Sequence, residues 1–218
     1  MKNEDPNGME RPSLCGLGRV LASAGAAEPP QSAPADASLS NVLFPDLATA
    51  FQPIVDVTQG CRVFAHEALL RTRAGGAAGA VLCRVPGNDR YAFDHACRVR
   101  AIETAVRLGL PARLSLNVLP GGVCAPFHGV HGALGAALTA GFPLDRIIFE
   151  ITEHEQALDH AGLLPTLAVC RAAGAFVALD DFGAGYAGLN ALVEIRPDII
   201  KLDTNLIREI DADRARQA

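Results

Sequence analysis

The chain has 218 residues, half of them hydrophobic, enough for one large domain with a sizeable core. Its formal net charge of −5 excludes a broad electrostatic grip on DNA or RNA, because phosphate neutralisation needs clustered Lys and Arg. A small anionic ligand held through a metal ion stays compatible with that balance.

Residues 1–40 read as a tail, since Ala24 to Ser40 is rich in Ala, Pro and Ser and cannot bury enough apolar surface to offset ordering. A short helix near Leu14–Ala22 is the one alternative there. The start, Met1-Lys-Asn-Glu-Asp5, is too polar and acidic for a signal peptide, and no apolar run approaches the ~18 residues of a membrane span. The six cysteines (15, 61, 83, 97, 124 and 170) include no Cys-x-x-Cys pair and read as reduced thiols. A cytoplasmic protein without membrane contact is expected.

From Phe44 onward, short apolar runs alternate with helical stretches. Phe51–Val57 and Arg62–Leu70 are predicted strands. Asp89–Gly109 is a predicted helix, with Phe93, Cys97, Ala101, Ala105 and Leu108 at near-helical spacing, Ile102 and Val106 widening the stripe, and Glu103 and Arg107 placed for an i,i+4 pair. A strand follows over Arg113–Val118, a helix over Gly132–Ala140 closed by Gly141, and a strand over Arg146–Ile151. The next helix is expected to start near Pro165, where proline suits the first turn, and to end at Gly174. Ala175–Leu179 is a strand, Tyr186–Glu194 a helix, Asp198–Leu202 a strand and Thr204–Ile210 a last helix. This rhythm implies a largely parallel sheet covered by helices. Both a (β/α) barrel and an open doubly wound sheet fit it. No Gly-x-Gly-x-x-Gly or phosphate loop follows the first strand, which favours the barrel.

Barrel enzymes gather their chemistry at the C-terminal ends of strands. Glu67 lies within an apolar run, Asn117 near the end of Leu114-Ser-Leu-Asn-Val, and Glu150 at the end of Ile147-Ile-Phe-Glu. Asp180-Asp181 follow Phe176-Val-Ala-Leu, and Lys201 lies within Ile199-Ile-Lys-Leu. Taken singly, each is explained by a structural ion pair or a solvated strand end. Together they make four carboxylates, one amide and one ammonium over five successive strands, and oxygen-only ligands suit Mg²⁺ or Mn²⁺ rather than zinc. Adjacent Asp180 and Asp181 are placed to bridge two ions about 3.5–4 Å apart, the spacing used for phosphoester cleavage. The turn Phe182-Gly-Ala-Gly-Tyr186 permits close ligand approach through Gly183 and Gly185. His128 and His131 sit among glycines and are expected in a loop without a metal role. His154, His160, Glu155 and Asp159 are expected to face solvent, and Tyr186 to pack in a turn.

The ordered segments Phe51-Gln-Pro-Ile-Val-Asp56, Glu67-Ala-Leu-Leu-Arg71, Leu116-Asn117, Phe149-Glu-Ile-Thr-Glu153, Asp180-Asp-Phe-Gly-Ala-Gly-Tyr186 and Pro197-Asp-Ile-Ile-Lys-Leu-Asp203 resemble the motifs of the EAL domain. The resemblance covers about Phe44 to the end of the chain. It implies a TIM-like (β/α)₈ barrel with an antiparallel first strand, two divalent ions (Mg²⁺ or Mn²⁺), and hydrolysis of cyclic di-GMP to pGpG, with a homodimer as the assembly. It also implies that Glu67, Asn117, Glu150 and Asp180 ligate one metal and that Asp180 bridges to a second ion shared with Asp181. Lys201 then polarises the attacking water, Arg71 contacts a phosphate, Gln52 and Leu69 lie against the guanine-bearing substrate, and Glu153 holds the loop after the Asp-Asp strand.

The match departs from the family at its end. The domain region, residues 44–218, holds six predicted strands where a barrel of this type has eight and ~250 residues. A downstream glutamate that completes the second metal site in the family has no counterpart, Glu209 falling in the last predicted helix. The expected barrel is therefore incomplete, lacking the last two βα units. Three explanations are open: a piece of an ordinary enzyme (the favoured one), an inactive cyclic di-GMP effector or interaction module, or a barrel completed by another chain. Ala184 and Gly188 stand where many members have Thr and Ser.

Overall fold

The computed structural model describes residues 47–73, 75–76, 79–83, 85–125, 127–152, 160–185 and 188–217. The expected tail, Glu153, Tyr186 and the expected solvent-facing residues His154, Glu155 and Asp159 lie outside them, as does the side chain of His160.

Six strands form one sheet in chain order: β1 (Leu47–Asp56), β2 (Arg62–Thr72), β3 (Arg113–Asn117), β4 (Ile147–Thr152), β5 (Phe176–Phe182) and β6 (Ile199–Leu202). β1 pairs antiparallel with β2, and every later pairing is parallel. The helices are α1 (Gly79–Leu82), α2 (Arg90–Arg107), α3 (Val130–Ala140), α4 (His160–Ala172), α5 (Gly188–Ile195), α6 (Thr204–Ile207) and α7 (Arg214–Gln217). The result is half a barrel, with β1 and β6 as its two edges.

Period-2 alternation splits each strand between two layers. Leu114, Leu116, Ile147, Phe149, Ile151, Val177 and Leu179 face the helices and pack on Ile102, Leu134 and Leu167. On the concave side, Ala65, Ile148 and Ala178 form a smaller cluster floored by Ile54, Phe64, Phe176 and Ile199. The polar residues of the strands stand above that floor. At the β6 edge, Ile200 and Leu202 on the strand and Leu189 and Val193 on α5 are exposed.

Several elements differ from expectation. β1 begins at Leu47, four residues early, because Leu47 is buried against Val85 and Phe93. β5 runs on through Asp180 and Asp181 rather than stopping before them. The stripe on α2 is rotated: Val106 and Leu108 are exposed, while His95, Ala96 and Arg98 are buried where the helix meets α3. Arg107 donates to Thr104 Oγ1 at 3.3 Å instead of pairing with Glu103. The last predicted helix stops at Ile207, and Glu209 takes a left-handed φ of +58°, which no helix tolerates. His131 lies in the first turn of α3 rather than in a loop. Gly141 closes α3 with φ +75°, as expected. Cys61, Cys83, Cys97, Cys124 and Cys170 are free thiols.

The largest difference is in α4, where Pro165 sits inside the helix rather than in its first turn. Leu163, Leu167 and Cys170 form a buried stripe across the proline, so packing overrides the missing N–H. Pro165 itself is exposed. Pro165→Ala loses no packing there and restores a hydrogen bond to the Ala161 carbonyl. We expect about 1 kcal/mol of added stability in urea titration, the hydrogen-bond gain exceeding the extra freedom of the unfolded chain. An unchanged or lowered midpoint would show that α4 is not continuous through this position.

Candidate active site

Register brings the polar strand residues to one end of the concave face. Gln52 pairs with Glu67 across the antiparallel ladder, Glu67 with Ser115, and Asn117 with Glu150. Leu69 and Arg71 share the Glu67 face of β2 by alternation. Thr152 pairs with Asp180, which sets Asp180 one step beyond Glu150. The alternation Leu114-Ser-Leu-Asn that buries Leu114 and Leu116 under the helices also turns Ser115 and Asn117 inward.

Lys201 is the centre of this group. Its Nζ lies 2.6 Å from Glu150 Oε2, 3.1 Å from Asp180 Oδ1 and 3.3 Å from Glu67 Oε2. Asn117 Nδ2 donates to Glu67 Oε1 at 3.1 Å, and Ser115 Oγ donates to Glu150 Oε1 at 2.5 Å. Glu150 is 1% exposed. Burial raises its carboxyl above the usual range, opposed by the Lys201 ammonium and the Ser115 hydroxyl. Burial pulls Lys201 down, but the carboxylates of Glu150, Asp180 and Glu67 more than reverse this, so its pKa is raised and it stays cationic. One ammonium against three carboxylates leaves a site with a deficit of positive charge, and its oxygen-rich donor set suits a hard divalent cation.

Asp181 sits in a bulge. Pairing between β5 and β6 is irregular between Leu179 and Phe182, and Asp181 has φ +54°. A bulge breaks the alternation that would otherwise send adjacent carboxylates to opposite faces. The turn after it is held from β6's side: Gly183 has φ +94°, and a Cβ there would collide with Leu206 Cδ1 of α6.

Beside the carboxylates, a cavity of about 270 Å³ opens between the β2–β4 ends and α2. Leu69, Arg71, Asn117 and Thr152 line one side, and Asp94 and Arg98 the other. Arg71 Nη1 is tied to the Leu70 carbonyl at 2.9 Å. Cys97 is in the wall, but burial pushes its thiol up to about 12, so it is an inert packing group rather than a nucleophile.

Sequence reasoning missed two supports of this site. Ser115 was legible in principle, since it shares a face with Asn117 by period 2. The buried Asp94–Arg98 ion pair on α2 gave no signal beyond an i,i+4 spacing. Arg98 also donates to the backbone carbonyls of Asn117 (3.4 Å) and His128 (2.5 Å), and Asp94 accepts from Leu119 N at 3.3 Å. The pair therefore braces the segment that carries Asn117. His128 packs its ring 5.6 Å from that of His95.

A chain with an antiparallel first strand, parallel pairing thereafter and carboxylates gathered at the strand ends falls in the class of (β/α)-barrel proteins. Residues 39–218 match the model of the EAL domain, and the chain belongs to that family. It is 30% identical over 170 residues to the blue light- and temperature-regulated antirepressor BluF of Escherichia coli, covering 78% of this chain and 42% of that protein. It is 34% identical over 105 residues to the cyclic di-GMP phosphodiesterase RocR of Pseudomonas aeruginosa, covering 48% of this chain and 26% of RocR. Among solved structures it resembles a standalone EAL protein of Vibrio cholerae in its c-di-GMP-bound form, at 41% identity and TM-score 0.72, covering 79% of this chain and 72% of that one. It also resembles Klebsiella pneumoniae BlrP1 in a manganese/cyclic di-GMP complex, at 34% identity and TM-score 0.72, covering 79% and 44%. The chain spans less than half the length of these curated relatives. No helix among the described residues is long and apolar enough to cross a membrane.

Proposed function

We propose that this domain, placed at residues 44–218, binds cyclic di-GMP at the strand-end carboxylates and hydrolyses it to pGpG with two divalent ions, Mg²⁺ or Mn²⁺. The observation that carries this reading is the convergence of Glu67, Glu150 and Asp180 on Lys201 with Asn117 alongside. Glu67, Asn117, Glu150 and Asp180 would hold one ion, and Asp180 with Asp181 the second. Such ions, when bound, supply a water of lowered pKa and neutralise charge at phosphorus.

The chain's own residues do the rest. Ser115 fixes the Glu150 carboxylate so that one oxygen is committed and the other faces the centre. Lys201 keeps its proton and so donates a hydrogen bond to an attacking water or a phosphate oxygen rather than acting as a base. Arg71, with one nitrogen anchored to Leu70, offers its remaining donors to a phosphate. Leu69 presents an apolar wall to a base, and Gln52 stands across from Glu67 as a polar partner. Glu153 is assigned to holding the loop after β5. The cavity is below the usual size for a site enclosing a whole ligand, so it takes part of the dinucleotide and leaves the rest to the open face.

A second reading is a binding module without turnover. The likeness to an antirepressor over 78% of this chain favours it. The two readings separate in one assay: the 218-residue chain with Mn²⁺ and cyclic di-GMP, chromatography for pGpG, and Glu67→Ala alongside. We expect product from the parent chain and a fall of at least about 10²-fold in the variant. Cyclic di-GMP binding without product by the folded chain selects the second reading. Neither binding nor product removes both.

A further inference from the structure

We propose that the opposite end of the sheet carries an oxyanion site, unconnected with the carboxylate centre, that takes a phosphate group. A recess of about 400 Å³ opens there among the end of β1 and the starts of β2, β3 and β4. Arg62, Arg113 and Arg146 line it, with Asp56 as the one acid. Three guanidinium groups against one carboxylate give a local positive charge in a chain whose net charge is −5.

Two of the three are held in place by groups that leave their charge uncompensated. The Arg113 guanidinium lies between the rings of Phe64 (4.7 Å) and Phe176 (4.9 Å), a clamp that fixes its plane. Its Nε is buried with no hydrogen-bond partner. Arg146 lies over Phe142 at 5.3 Å and donates to the carbonyls of Leu110 and Ala112, and its Nε is likewise buried and unpartnered. Arg62 is exposed at the mouth. Among the described residues, none of the three forms an ion pair with a carboxylate. Asp56 turns its carboxylate onto the following 3₁₀ turn, accepting from Thr58 N (2.9 Å) and Thr58 Oγ1 (2.7 Å).

The strand-start face of a barrel ordinarily serves stability. Arg113 between its two rings meets that need. The carbonyl bonds and Phe142 contact of Arg146 serve the fold as well, but exposed Arg62 adds a third like charge around one open recess, where unpaired charges repel. Planar forks already fixed in orientation lose little entropy on binding and match the oxygens of a phosphate or a phosphomonoester. The ligand class is therefore a small phosphorylated molecule or the free phosphate ion.

The test is thermal denaturation of the 218-residue chain titrated with inorganic phosphate against chloride at equal ionic strength. EDTA is present throughout, so that no metal-bound phosphate forms at the carboxylate end. We expect a saturable rise in Tm with phosphate, and about a tenfold weaker apparent Kd in Arg62→Gln. Arg62→Gln, at an exposed position, should leave the Tm in chloride unchanged, and Arg62→Lys should recover part of the affinity. A nucleoside 5′-monophosphate binding more tightly than phosphate assigns the recess to a phosphorylated molecule; equal affinity assigns it to the free ion. No response beyond that of chloride, or an unaltered response in Arg62→Gln, overturns the proposal.

Discussion

Lys201→Met is expected to destabilise the metal-free chain by about 3 kcal/mol and to make its stability depend on divalent ions. The ammonium is within 3.3 Å of Glu67, Glu150 and Asp180, and Glu150 has no solvent to fall back on. Removing one partner of a buried pair costs about 3–5 kcal/mol, because the remaining charge is left uncompensated. The low end applies here, since Lys201 keeps 26% of its exposure and water screens part of the interaction. The loss also has a pH signature. With the ammonium gone, only the Ser115 hydroxyl still opposes burial at Glu150, and its folded pKa rises further above the ordinary 4.5. The folded state then holds a proton that the unfolded state releases. Destabilisation is therefore absent below the unfolded pKa and grows as pH rises from there to the folded pKa. Chemical denaturation at several pH values measures this directly. Adding Mn²⁺ should stabilise Lys201→Met more than the parent chain, since the ion meets three carboxylates without a competing ammonium. Equal loss at all pH values, or no preferential rescue by Mn²⁺, would show that these carboxylates do not act as one charge cluster.

The same cluster shows what a sequence can and cannot disclose. Glu67, Asn117, Glu150, Asp180 and Lys201 were legible because each lies within or at the end of an apolar run, where a polar group needs a reason. Parallel pairing then makes neighbours of strand ends that are 51 residues apart in the case of Glu150 and Lys201. The sheet was legible through the alternation of strand and helical periods, and the barrel preference through missing phosphate-loop signatures. Pro165 was misplaced because a local rule about first turns competed with a buried stripe, Leu163-Leu167-Cys170, that only tertiary packing reveals. The extension of β5 through Asp181 depends on a left-handed residue, and no composition rule places an aspartate there. The buried face of α2 was misjudged for a related reason. An arginine reads as surface by composition, and only the loop folded against α2 supplies the carbonyls that make Arg98 an interior residue.

That interior arginine is the second large lever on the site, although it touches none of the carboxylates around Lys201. Arg98 is 3% exposed, and its partner Asp94 is 13% exposed. Arg98→Ala removes the ion pair and two donors to carbonyls of the β3–α3 segment, leaving Asp94 with only the Leu119 amide. We expect a loss of about 3–4 kcal/mol in guanidinium titration. Arg98→Lys should recover less than half of it, because one ammonium cannot reproduce a fork that reaches Asp94 on one nitrogen and the His128 carbonyl on another. Asp94→Asn should also be costly: the amide still accepts from Leu119 N, but the Arg98 guanidinium, 3% exposed, is left without its counter-charge. The double variant Arg98→Ala/Asp94→Ala should fall short of the sum of the singles by about 1–3 kcal/mol, as expected of residues in one network. A site consequence accompanies the stability loss: with the Asn117 carbonyl released, the Asn117 side chain no longer holds Glu67 Oε1 in place, and Mn²⁺ affinity should drop in a variant that is still folded. Arg98→Lys, the milder change, is the chain in which to read that affinity. Parent-like Mn²⁺ binding in Arg98→Lys, together with strict additivity in the double variant, would reduce the Asp94–Arg98 pair to an ordinary surface-type bridge with no hold on the β3 end.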